Sequence, residues 1–99
     1  MTYVIYEVKT EEVGKINQML KDDIVSRQSI LTRDASSLGL DKEVSFVKIE
    51  GSEEGLKKAE EIAKELNFKK LDKKESDDIN KKIIEQEDSA ADGMGMIFG

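Results

Sequence analysis

Ninety-nine residues make one domain, and a chain of this size buries roughly two thirds of its unfolded surface. Charged residues reach 38%, hydrophobic residues 37%, and the net charge is −6, which argues against a general basic footprint for nucleic acid. Cysteine and histidine are both absent, so the chain has no disulfide framework, no thiol nucleophile, no thiolate metal site and none of the commonest general base.

Tyr3 to Val8 (YVIYEV) reads as a strand, because aromatic and β-branched residues suit a pleated, half-buried surface. Val4, Tyr6 and Val8 share one face, and Tyr3, Ile5 and Glu7 the other. Thr10 suits a helix N-cap, with Glu11 and Glu12 in the first turn. Val13, Ile16, Leu20 and Ile24 follow at helical spacing and predict a helix over about 11–23. Val25 to Arg33 is a weaker strand carried by Ile30 and Leu31. Asp34 to Lys42 reads as a loop with one helical turn closed by Gly39.

Val44 to Glu50 is the third strand, with Val44 and Phe46 on one face and Ser45, Val47 and Ile49 on the other. Ser52 caps the next helix. Leu56, Ala59, Ile62, Ala63 and Leu66 form its buried stripe, and the two alanines let it lie close on a sheet. Asn67 fits a left-handed stop, and Phe68 to Leu71 a short fourth strand. Ser76 looks like a further N-cap, for a third helix through about Asp88 with Ile79, Ile83 and Ile84 on its apolar face. Ser89 to Gly99 (SAADGMGMIFG) reads as a separate apolar, glycine-rich tail, which sets residues 1–88 apart as the domain.

Strand-helix-strand appears twice, over residues 3–33 and 44–71. The echo predicts an α+β chain on the ferredoxin-like βαββαβ plan, with the first and third strands central. It would be a two-layer sandwich with an added C-terminal helix. If Val4 and Val47 face the helices, then Tyr3, Ile5, Val44 and Phe46 lie on the opposite face, and that patch is large for a monomer. Three things would cover it: the third helix, the tail through Met94, Met96, Ile97 and Phe98, or a second copy.

Little else points to chemistry. The Glu50-Gly51-Ser52 turn precedes a helix N-terminus, but its glutamates repel an anion, so it reads as a capped helix start. Of the adjacent carboxylate pairs, Glu11-Glu12, Glu53-Glu54 and Asp77-Asp78 sit at predicted helix starts, where the dipole explains them, and neighbours on a helix do not share a face. Arg27 and Arg33 would share a strand face near Lys48, yet surface arginines paired with carboxylates account for them. The serines have no histidine to activate them.

The run IEGSEEGLKKAEEIAKEL over 49–66 and the end GMGMIFG over 93–99 resemble those of small uncharacterised archaeal α/β proteins. That resemblance implies a cytosolic archaeal protein and supplies no activity, cofactor or catalytic residue. No stretch approaches a membrane span, and the N-terminus lacks the basic and apolar run of a signal peptide, so the expected location is cytoplasmic.

The leading expectation is a non-enzymatic interaction or regulatory module without a cofactor. It would self-associate or dock a protein through Tyr3, Ile5, Val44, Phe46 and the tail. The alternative is a small-ligand or nucleotide-binding domain using Arg33, Asp34, Ser36 and Ser37 together with Gly51 and Ser52. Nucleic-acid binding comes third.

Overall fold

The first run of β-formers becomes β1 (Thr2–Lys9), and the sheet is built around it. The computed structural model describes residues 2–98, with side chains through residue 86. It is an α+β chain with one antiparallel sheet in the order β2-β3-β1-β4, where β2 is Ser29–Asp34, β3 Val44–Gly51 and β4 Lys69–Lys70. β1 and β3 are central, as the doubled echo predicts. They pair along their whole length, from Thr2 opposite Gly51 to Lys9 opposite Val44.

The predicted first helix is broken in three. A 3-10 turn over Thr10–Lys15 leads into α1 (Ile16–Leu20), and α2 (Asp23–Ser26) follows. Thr10 does not cap, because its N–H donates to the Glu43 carbonyl at 3.1 Å and continues the β1–β3 pairing. Asp22, expected near a helix end, starts a new one: its Oδ1 accepts from the N–H groups of Ile24 and Val25 at 2.9 and 3.1 Å. Val25 therefore belongs to α2, where it is fully buried, and not to a strand.

The second half follows its local signals more closely. Ser36–Leu38 forms one 3-10 turn, closed by Gly39 at φ 79°, a left-handed conformation that glycine adopts without strain. The Ser52 hydroxyl accepts from the Gly55 N–H at 3.1 Å and caps α3 (Glu53–Glu65). Asn67 stops it at φ 61°, as its short polar side chain allows. The last helix, α4 (Lys73–Phe98), begins three residues before its expected cap. Asp72 caps it, with Oδ1 accepting from the Glu75 N–H at 2.8 Å, and Ser76 is buried inside the helix instead. The sequence Asp72-Lys-Lys-Glu75 is a capping-box pattern that competes with Ser76 and starts the helix earlier. The proposed tail over 89–99 lies outside the described side chains.

Two apolar clusters form, one on each face of the sheet. Val4, Tyr6, Val8, Val47 and Ile49 face α1, α2 and α3, packing with Ile16, Met19, Val25, Ala59 and Ala63. Ile5 and Phe46 face α4, packing with Leu71, Ile79 and Ile83. The helix added to the two-layer plan thus takes the second face.

Candidate functional site

The strand parities place Tyr3, Ile5, Val44 and Phe46 on the second face as expected. α4 crosses this face from a corner near Tyr3 to the end of β2. The Tyr3 hydroxyl donates to Asp77 at 2.7 Å near one end of the contact, and Gln86 reaches Arg33 and Ser37 at the other. Ile5 and Phe46 lie beneath it at 0% and 1% exposure. They are core residues, not a free patch, because Ile79 and Ile83 lie in the same cluster. Tyr3 and Val44 stay half-buried at its margins. The Lys48 ammonium stands 5.1 Å from the centre of the Tyr3 ring, within cation–π range. Burial, then the hydrogen bond to Asp77, raises the Tyr3 phenol above its ordinary pKa. The side chains of Met94, Met96, Ile97 and Phe98 fall outside the described residues.

The alternative ligand residues do not converge. Asp34 pairs with Ser45 at one end of the β2–β3 hairpin, whereas Gly51 and Ser52 follow the other end of β3. Six residues of strand separate them, roughly 20 Å at about 3.3 Å per residue. Antiparallel pairing of adjacent strands enforces that distance.

Each half is also committed to the fold. Arg33 donates from Nε to Gln86 Oε1 at 2.9 Å and from Nη1 to the Thr32 carbonyl at 2.9 Å. Asp34 Oδ1 accepts from Ser45 Oγ at 2.8 Å, and the Asp34 carbonyl accepts from Ser37 Oγ at 2.7 Å. Ser36 is exposed on the 3-10 turn.

At the other half, the start of α3 is filled by Gln28. Its Oε1 accepts from the Ser52 N–H at 3.1 Å, and its Nε2 donates to the Ile24 carbonyl at 2.9 Å. A Cβ on Gly51 or on Gly55 would collide with this amide. The two glycines form its seat, and a neutral amide takes the place an anion would need.

The pair of arginines separates as well. Arg27 follows α2 and is bound to Asp23 at 3.0 Å, so it is not on the strand with Arg33. On β4, Lys70 pairs with Glu60 at 3.3 Å and Lys69 with Glu75 at 3.9 Å.

One arrangement was not read from the sequence. β4 is only two residues long and meets β1 only at Tyr6 and Glu7. The Leu71 N–H still donates to the Ile5 carbonyl at 3.0 Å, and then the Asp72 cap turns the chain into α4. Beyond that point no described residue pairs with the edge of β1. A hollow of about 500 Å³ lies on its α4 side, lined by Tyr3, Leu71, Lys73 and Asp77 among others. Another of about 270 Å³ lies on its α3 side, lined by Val4, Tyr6, Leu56, Lys57 and Glu60.

Tyr6 is 1% exposed, and its hydroxyl has no hydrogen-bond partner among the described residues. Burial pushes its phenol far up, with the Glu60 carboxylate adding to the effect. The sequence signal was present in two pieces: a strand of two lysines, and a capping box immediately after it.

Among the described residues, no cluster of three or more His, Cys, Asp or Glu side chains suits a metal ion, and no helix is long and apolar enough to cross a membrane. No protein-family model matches the chain, and neither the curated proteins nor the solved structures compared with it give a match.

Proposed function

We propose that this chain is a non-enzymatic interaction or regulatory module, built on the ferredoxin-like plan with α4 added over the second sheet face. The strand order, with β1 and β3 central and β2 and β4 outside, supports that plan.

One observation carries the interaction reading. α4 covers the middle of its face but leaves an apolar margin. Tyr3, Leu31, Leu40 and Val44 are only partly buried against its cluster, and Ile84 on α4 is 45% exposed. The polar residues of the alternative site are meanwhile engaged in caps, turns and helix ties. A surface of this kind is completed by a protein partner or a second copy, in the cytoplasm if the archaeal resemblance holds. Sedimentation of the full chain, of Ile84→Glu and of a chain ending at Asp92 tests it. Association that weakens in either variant supports the reading. A monomer in all three, with no protein partner shifting residues along the α4 margin, rejects it.

A small-ligand reading is favoured by a different hollow from the one expected. It encloses about 210 Å³ beside α4, with Phe46, Leu71 and Ile79 as floor and Glu7, Asp78 and Lys82 at the rim. An apolar floor with a few polar groups suits a small molecule. Titration with nucleotides and amino acids, followed at the Phe46 and Ile79 amides, tests it. No movement at millimolar ligand rejects it.

A further inference from the structure

The Leu71 N–H to Ile5 carbonyl bond fixes which way the β1 backbone points. In an antiparallel strand, the N–H and C=O of one residue project to the same side and alternate along the chain. Ile5 and Glu7 therefore project toward β4, and so does Tyr3. Nothing among the described residues pairs with the Tyr3 N–H and C=O on that side, because β4 opposes only Tyr6 and Glu7. A central strand thus ends in an unpaired edge.

The two hollows sit above and below this edge. Each holds one lysine without an ion pair among the described residues: Lys57 on the α3 side and Lys73 on the α4 side. The carboxylates nearby are mostly engaged. Glu60 is paired with Lys70, and Asp77 accepts the Tyr3 hydroxyl. Glu53 lies in the first turn of α3, where the helix dipole offsets part of its charge. Tyr6 is a second, independent pointer: the residue lines the α3-side hollow, and its buried hydroxyl has no hydrogen-bond partner among the described residues.

We infer that the β1 edge at Tyr3 accepts an extended acidic peptide segment of a partner protein, which adds a strand in line with β4. Main-chain bonds to the Tyr3 N–H and C=O hold it, as in strand addition generally. Side chains of an added strand alternate between the faces. The residue opposite Tyr3 presents a carboxylate to Lys73, and its neighbour presents one to Lys57 beside the Tyr6 hydroxyl. A second copy suits the edge less well. Pairing the same edges of two chains would bring like lysines together, whereas an acidic segment neutralises Lys57 and Lys73. This edge shares Tyr3 with the α4 margin but not Leu31, Leu40, Val44 or Ile84, so variants and shifts at those residues tell the two surfaces apart.

The test is an NMR titration of the full chain with a synthetic Thr-Val-Glu-Glu-Val-Thr peptide. Two controls accompany it: the same peptide with lysine for both glutamates, and the acidic peptide N-methylated at its central residues. The acidic peptide is expected to shift the Tyr3, Ile5 and Leu71 amides saturably. Affinity should fall at least tenfold for the chain carrying Lys57→Glu and Lys73→Glu, and N-methylation should abolish binding. Equal shifts with the lysine peptide, or unmoved Tyr3 and Leu71 amides, would overturn the inference. So would shifts of those amides that follow the protein's own concentration without peptide, since the occupant would then be a second copy.

Discussion

The two edges of the sheet are finished differently. β2 forms the long outer edge, and the Ala35 N–H to Val44 carbonyl bond at 2.9 Å sets its parity. Ile30, Thr32 and Asp34 therefore point their main-chain groups outward. Two of those three carbonyls are occupied by the chain's own side chains, Thr32 by Arg33 and Asp34 by Ser37. Gln28 pins the start of the same strand to α3. Natural sheets blunt exposed edges in this way to avoid unwanted pairing. The edge of β1 at Tyr3 has no such cover among the described residues and lies between two hollows. Where a chain blocks one edge and leaves the other open, the open one is the better place to look for a partner.

The largest effect should come from loosening α4, which governs both edges. It holds Arg33 through Gln86 and ends β4 through its Asp72 cap. Ile83 is 1% exposed, and Ile83→Ala should cost about 2–5 kcal/mol in urea unfolding. If the loss is under about 1 kcal/mol, α4 is not the cover of the second face. Next is Gln28→Ala, which removes two hydrogen bonds from the β2–α3 junction and should cost about 1–2 kcal/mol. Adding Gly55→Ala in that background should recover roughly 1 kcal/mol, since alanine favours a helix and the amide is gone. In the parent chain the same substitution should destabilise.

Asp72→Ala should cost about 1 kcal/mol and should also weaken binding at the edge, because a frayed α4 start lets β4 lengthen toward Tyr3. Arg33→Ala with Ser37→Ala should change stability less. It should, however, expose β2 and produce self-association that depends on concentration in light scattering. No change in association would mean that these two side chains do not guard the edge.

Tyr6→Phe should have the smallest effect at neutral pH, within about 1 kcal/mol, because the hydroxyl has no hydrogen-bond partner among the described residues. Its signature is alkaline. The folded-state pKa of Tyr6 is raised, so below about pH 10 both folded and unfolded forms keep the proton and the stability is fully present. Above that, the unfolded form ionises first, and stability falls by up to about 1.4 kcal/mol per pH unit. The phenylalanine variant should lose less stability over this range; identical curves would contradict the assignment.

Features written in local sequence were legible. The alternation in YVIYEV and VSFVKIE gave the two faces, and Ser52, Asn67 and Gly39 marked their turns. The readings that failed depended on distant partners. Thr10 looks like a cap, but its N–H is taken by Glu43 across the sheet. Ser76 looks like a cap, but Asp72 four residues earlier also qualifies, and packing of Ile79 and Ile83 favours the longer helix. The Gln28 seat joins residues 24 positions apart, and nothing near Gly51 or Gly55 announces it. The two halves of the alternative ligand site lie at opposite ends of β3, a separation that their order along the chain does not show.

Amide hydrogen exchange at Tyr3 tests the open edge most directly. Tyr3 lies in a central strand between Thr2 and Val4, where every amide would ordinarily be protected. Its N–H should exchange at least a hundredfold faster than those of Val4 and Tyr6, which project toward β3. Exchange at Tyr3 within about threefold of Val4 would show that the edge is already paired, and would contradict the claim that it is free to take a strand.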